Sequence, residues 1–347
     1  MPRSSLLSQL LMAATIYDVA EKAGVSPGTV SRYLNGYRLR EPNRLKVEQA
    51  IQELDFKENI IAKGLKGNRS MTIAVMIPNY LTLFFMAVTK MLEQELEEYG
   101  YSLLLCDFDY DPRKFQEKLQ FAKDRSIDGL LFFSSAIDDE NLRALQKFLE
   151  QNTPIVLIEQ AIPGLETDVI MVDNAHASFR AVEQLILHKH RKIAIVNGKE
   201  EVYVFRERLR GYQDAMRTYN LPVDEHWIVS EWFAEAEDYT AIRSLFKSSS
   251  PPTAIYATHF HATIGTVMAL HKLHLRIPED VSLIGFDYFD LIDAIEPPLT
   301  LVEQPIAQIA KDAAMLVVQR IRGDYANFPQ TITLNTTMLI RDSVRTL

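Results

Sequence analysis

The sequence predicts two unlike parts: a small all-α head, and a larger α/β body of two doubly wound parallel-sheet lobes. Three observations carry this. The first 58 residues hold short helical patterns and no strand signal. Lys66-Gly67-Asn68-Arg69-Ser70 then reads as a polar linker. From Met71 onward, short apolar runs alternate with amphipathic stretches, the mark of βαβ units with right-handed crossovers.

In the body the runs include Ile73–Ile77, Leu103–Cys106, Gly129–Phe133, Ile155–Ile158, Val169–Val172, Ile193–Val196, Ala254–Ala257 and Val281–Phe286. Between them lie helix-patterned stretches such as Phe85–Glu98, Lys114–Lys123, Ala175–Leu187, Arg206–Tyr219 and Thr263–Leu273. Residues 71–347 are too many for one lobe of this kind, so two are expected.

Composition sets the class. Of 347 residues, 47% are hydrophobic and 24% charged, ordinary for a globular chain able to bury a core. Cys106 is the single cysteine, so no intramolecular disulfide can form, which suits a reducing, cytoplasmic compartment. No apolar run reaches the roughly 18 residues of a membrane span, and no membrane partner is expected. Arg3 followed by Leu6, Leu7, Leu10 and Leu11 faintly imitates a secretory signal. The charged helical pattern that begins at Thr15 argues against one, so residues 1–14 read as an N-terminal extension, and Met12 is an alternative start that would leave the first eleven residues outside the chain.

Charge is uneven. Residues 12–69 carry ten Lys/Arg against seven Asp/Glu, a net of +3, whereas the whole chain is −9 and the remainder therefore −12. A basic head on an acidic body is what phosphate binding at one end requires.

Thr15 is placed to cap a first helix, with Asp18 three residues on. Ile16, Val19, Ala20 and Ala23 share one helical face, and Gly24 supplies a turn. Val25 can plug the core. Ser26-Pro27 opens a second helix with Val30 and Leu34 as its buried stripe, and Asn35-Gly36 closes it. Residues 15–36 therefore encode a helix-turn-helix. Thr29, Ser31, Arg32 and Asn35 on its outer face can meet phosphates or base edges, although an ordinary helical hairpin would show a similar pattern.

This stretch closely resembles the DNA-binding head of the lactose-repressor/galactose-repressor (LacI/GalR) family. The resemblance continues through Asn43-Arg44, Val47, Ala50–Phe56 and Asn59-x-x-Ala62-x-x-Leu65, then through Val172-Asp173-Asn174, Arg206–Gly211, Gly285-Phe286-Asp287, and Pro298-Leu299-Thr300 followed by Gln304. It implies a helix-turn-helix domain at 15–58, a hinge helix and linker at 59–70, and a periplasmic-binding-protein-like effector-binding and dimerisation body at 71–347. It implies chain crossings between lobes near 160–170, 288–303 and 323–331. The partners it implies are a palindromic double-stranded DNA operator, a small-molecule effector (a sugar or sugar derivative), and a second copy in a homodimer.

On that resemblance the helix from Ser26 to Leu34 lies in the major groove and the hinge helix in the minor groove. Leu65 wedges a base step, Asn59 caps the hinge helix, Ala62 keeps its spacing, and Lys63 and Lys66 approach phosphates; Arg44 is a further DNA-binding residue on the resemblance. Pro27 and Gly28, at positions that often read bases in the family, carry no hydrogen-bonding side chain here. Readout should then rest on Arg32, whose fork matches guanine O6/N7, with Ile16 and Tyr17 adding contacts.

For the body the resemblance marks Phe84, Phe85, Glu159, Arg206, Trp232, His259, Asp287 and Gln304 around an interlobe crevice. Rings against an apolar face and charged groups on hydroxyls suit a polyol. The rings could equally be core, and Arg206 and Asp287 surface groups. His259-Phe260 stands where the family usually has Asn-Asp, which weakens any specific effector assignment. His259-x-His261 has no third ligand nearby, so no metal is expected, and no cofactor.

Two other classes compete. A periplasmic-type solute-binding protein would share the body but not the head. An α/β enzyme would need a Gly-rich phosphate loop, a nucleophile elbow or paired acid/base residues, and none is found, so no enzymatic activity is expected. The apolar-alternating stretch Thr331–Ile340 should be the last strand, with no heptad-patterned tail after it, so a dimer is expected instead of a tetramer.

Overall fold

The computed structural model describes residues 14–34, 37–56, 69–133, 137–230 and 240–347. Asn35, Asn59, Ala62, Lys63, Leu65, Lys66 and Trp232 lie outside the described residues. The chain divides into two compact units, Met1–Ser70 and Met71–Leu347.

Among its described residues the head has three helices, α1 (Ile16–Ala23), α2 (Pro27–Leu34) and α3 (Glu41–Glu53). Thr15 closes a reciprocal cap: its hydroxyl accepts from the Asp18 N–H, and its own N–H donates to the Asp18 carboxylate at 2.7 Å. Gly24 ends α1 in the left-handed region, φ +62°, where a side chain would be strained. The Ser26 hydroxyl accepts from the Thr29 N–H at 3.2 Å and starts α2. Val19, Ala20, Ala23, Val30, Val47 and Ala50 form the core, with Ile16, Val25 and Leu34 packed on it. A 13-residue third helix thus completes a core that two eight-residue helices cannot close.

In the body, one sheet has the order β11-β5-β4-β3-β1-β2 and the other β12-β10-β9-β8-β6-β7. The first contains β1 (Thr72–Ile77), β2 (Ser102–Asp107), β3 (Gly129–Phe133), β4 (Ile155–Ile158), β5 (Asp168–Val172) and β11 (Thr331–Leu334). The second contains β6 (Ile193–Asn197), β7 (Ile228–Ser230), β8 (Ala254–Ala257), β9 (Ser282–Phe286), β10 (Thr300–Glu303) and β12 (Thr337–Leu339). Helices α4 (Leu83–Glu98), α5 (Pro112–Asp124), α6 (Asp139–Glu150), α7 (Asn174–Leu187), α8 (Tyr203–Thr218), α9 (Thr240–Leu245), α10 (Phe260–Lys272) and α11 (Ile306–Ile321) join them. The first five strands of each sheet are wound alike. Their order reverses between β1 and β3 and between β6 and β8, the points outside which such sheets bind ligands.

Three expectations need correction. The chain crosses between lobes at Asp173, at Gln304-Pro305 and at residues 335–336, instead of near 160–170, 288–303 and 323–331. The reason is pairing: β5 joins β4, β10 joins β9, and β11 joins β5, so each strand completes its own sheet before the chain leaves. Buried Ala177, Ala181, Val182 and Leu185 on α7 then enter the second lobe's core, while Ile309, Ala310, Ala313 and Val317 on α11 return to the first. Thr331–Ile340 is not one strand but two, split between the sheets. β12 also runs antiparallel to β10, so the second sheet is not wholly parallel.

Candidate functional site

The carboxyl ends of the two sheets enclose a cleft of about 700 Å³. Of the residues marked from the sequence, Phe84, Phe85, Glu159, His259, Asp287 and Gln304 line it. Phe84 and Phe85 also belong to the first lobe's core, edge-on to each other and to Phe133, so each both packs the core and lines the cleft.

Glu159 and Asp287 occupy matching places in the two lobes. Each is the residue after the fourth strand of its sheet, each has a left-handed backbone (φ +82° and +69°), and each donates its N–H to the fifth strand. The acceptors are Ile170 O and Val302 O, both at 2.8 Å. A non-glycine residue in this region costs on the order of 1–3 kcal/mol, and such strain gathers where a side chain must be aimed. The Asp287 carboxylate accepts from the Gln304 amide at 2.7 Å and from the Phe260 N–H at 3.2 Å. Burial pushes its acidity down, opposed by Arg208 and by these hydrogen bonds.

Arg206 is not the cleft's arginine. It is exposed on α8, its guanidinium reaching toward Glu200 O at 3.5 Å. Arg208 is, at 2% exposure. Its Nε donates to Asn174 Oδ1 at 2.8 Å and its Nη1 to Thr258 O at 2.5 Å, with the Phe286 ring 3.7 Å beneath. Among the described residues nothing accepts from Nη2, which leaves a donor on the cleft wall. Two residues along a helix turn a side chain by about 200°, enough to exchange cleft for solvent. The signal was present: Val204, Arg208, Gly211, Tyr212 and Ala215 form the buried stripe of α8, and an arginine in such a stripe needs partners. Phe205 and Lys199, not singled out from the sequence, also belong to this surround, as do Asn174 and His261, which the sequence marked for other reasons.

His259 lies against the Phe205 ring at 4.9 Å, and its Nδ1 is 3.3 Å from the Thr258 hydroxyl. Burial, together with Arg208 and His261, holds its imidazole neutral well below the usual range. His261 is shifted the same way by burial. Among the described residues no three His, Cys, Asp or Glu side chains are grouped to hold a metal. His190 is structural, bonded to the Thr253 hydroxyl and Arg345 O.

Burial pushes the Glu159 carboxyl up to about 8, with Asp287 adding to the effect and Arg208 opposing it. The folded state therefore keeps this proton more tightly than the unfolded chain. The associated stability is complete below about pH 4.5 and is lost as pH rises toward 8. Glu159→Gln should abolish that loss. Urea midpoints of both proteins at pH 5 and pH 8.5 should show the variant gaining relative to wild type as pH rises; a gap independent of pH would contradict this.

On the head, Thr15, Tyr17, Ser26, Pro27, Gly28 and Arg32 are exposed, while Ile16, Thr29 and Ser31 are half-buried. The Thr29 hydroxyl is tied to that of Ser26 at 2.9 Å. Arg44 is held by Glu41 and Glu48, each at 2.6 Å, and Glu48 also accepts from the Tyr33 hydroxyl. A phosphate would have to compete with two carboxylates for it, so Arg32 is the better-presented cation.

Residues 15–59 match the bacterial regulatory proteins of the lacI family, and residues 182–344 match the periplasmic binding protein-like domain. The ribose operon repressor of Haemophilus influenzae is 31% identical over 96% of this chain and 99% of its own length. The chain belongs to the LacI family. This LacI-family protein is thus a helix-turn-helix transcription regulator with a two-lobe ligand-binding body, and not a solute-binding protein without a head. Among solved structures, the transcriptional regulator CelR in complex with cellobiose is 26% identical, with TM-score 0.71 over 95% of this chain and 99% of that one. The lac repressor dimer bound to operator and an anti-inducer shares the fold, with TM-score 0.82 at 21% identity over 96% of this chain and 100% of that one. Among the described residues of this LacI-family regulator, no helix is long and apolar enough to cross a membrane.

Proposed function

We propose that this regulator is a cytoplasmic homodimeric repressor of carbohydrate-related genes, released from a palindromic operator when a sugar or sugar derivative fills the interlobe cleft. The observation that carries the effector class is that the unengaged Arg208 Nη2 shares one cleft with the acidic side chains of Glu159 and Asp287 and the rings of Phe84, Phe205 and Phe260. Charged groups take hydroxyls and rings cover apolar sugar faces. Two relatives carry sugars in their names, ribose and cellobiose. Glu159 belongs to the first lobe, Arg208 and Asp287 to the second. A ligand touching all three favours one lobe arrangement, and the coupling to DNA must be reciprocal.

The test is operator titration by fluorescence anisotropy, with and without ribose, cellobiose and related sugars. At least one should weaken operator binding. If none does while a sugar binds calorimetrically, the regulatory reading fails. In the same assay Arg32→Ala should lose roughly 1–3 kcal/mol of discrimination at a guanine position. An equal loss on every sequence would make Arg32 a phosphate contact only.

A further inference from the structure

Beside the main cleft is a second cavity of about 90 Å³. Tyr110 and Val202 line both, so the two spaces adjoin. Phe108, Pro112, Phe115 and Ile137 give it apolar walls, and among the described residues no lining residue is an acid, lysine or arginine. Its one amide among the described residues is Asn141, in the first turn of α6 and 3% exposed. Asn141 Nδ2 donates to Pro112 O at 3.3 Å, whereas Oδ1 is buried with no partner among the described residues. Turning the amide over would set Oδ1 against the Pro112 carbonyl, so the orientation is determined by chemistry. A buried acceptor without a donor is costly, and native proteins leave few of them.

We propose that this cavity is a side-arm subsite, taking a compact neutral substituent of the cleft ligand whose single O–H or N–H donates to Asn141 Oδ1. The volume is below the ~150 Å³ that accepts benzene, so the occupant is a short arm of a few heavy atoms, not a second ring. A terminal phosphate or carboxylate is disfavoured because it would meet an amide oxygen and mostly apolar walls, with no cation in the lining among the described residues. The subsite therefore selects neutral sugars and small glycosides against their phosphorylated forms. Val202 comes from the second lobe and the other walls from the first, so an arm placed here also touches both lobes. Its biological role rests on the cleft reading above; its occupancy does not.

The experiment uses the full-length protein and two simple probes, 1-propanol and sodium propionate. The Asn141 side-chain amide is assigned by comparison with Asn141→Leu and followed by ¹⁵N NMR. Saturable movement with 1-propanol is expected, with propionate weaker by about tenfold or more, as loss of the donor and addition of a charge require. Ile137→Phe, which fills the space and keeps the Asn141–Pro112 bond, should abolish the response. No saturation, an equal response to propionate, or persistence in Ile137→Phe would overturn the subsite. Cellobiose and ribose titrations of the same samples, read at Phe205 and His259, report on the cleft independently. Silence there beside a saturable Asn141 signal would sink the cleft reading and leave the subsite standing.

Discussion

Arg208→Met is expected to weaken effector binding roughly 10- to 150-fold, the loss of one charge-assisted hydrogen bond of about 1.5–3 kcal/mol. Operator affinity without effector should stay near wild type, because the head is a separate compact unit with its own core. Methionine keeps the packing over Phe286 but leaves Asn174 Oδ1 and Thr258 O without their donor, so some stability is lost as well. The matched control is Arg206→Ala, which should leave affinity and stability near wild type because that side chain is exposed on α8. Calorimetric titration with whichever sugar releases the operator, run on both variants, separates the two. If Arg206→Ala is the damaging change, the cleft has been assigned the wrong arginine.

Arg320→Met should be among the most destabilising single changes in the body, costing about 3–5 kcal/mol by stranding a buried carboxylate. Arg320 and Asp168 are 1% and 0% exposed and meet in a bidentate pair, 2.7 and 2.9 Å. Asp168 also accepts the Gln330 N–H at 2.8 Å, Arg320 donates to Asp324 O at 2.5 Å, and the Tyr325 and Phe328 rings lie 5.5 Å from the guanidinium. The pair thus fixes the segment that leads α11 into β11. Urea denaturation should show the loss, and adding Asp168→Leu should recover much of it, since an apolar replacement removes the uncompensated charge. A double variant no more stable than Arg320→Met would show that the arginine's packing, not Asp168's isolation, dominates.

Much of this molecule is legible in the order of its residues. Thr15, Gly24 and Ser26-Pro27 state where the head's helices begin and end, because caps and turns are local chemistry. Ile73–Ile77 and its counterparts read as strands because they are buried on both faces and cannot interrupt their apolar run. Ordered motif matches from Thr15 to Gln304 carried the family, and with it the cleft's acidic corners at Glu159 and Asp287.

What local pattern could not decide is which sheet a strand joins. Asp168–Val172 and Thr331–Leu334 have no feature of their own that sends them to the first lobe; pairing does, and it moved all three crossings downstream. Helix phase settled Arg208 against Arg206: the stripe Arg208 shares with Val204, Tyr212 and Ala215 was readable, but packing of α8 on α7 is what turns that stripe inward. The positive φ at Glu159 and Asp287, the orphan oxygen of Asn141 and the buried Arg320–Asp168 pair are equally products of tertiary structure. Each depends on packing between segments far apart in the chain, and burial, which sets charge states and hydrogen-bond needs, exists only once the lobes have formed.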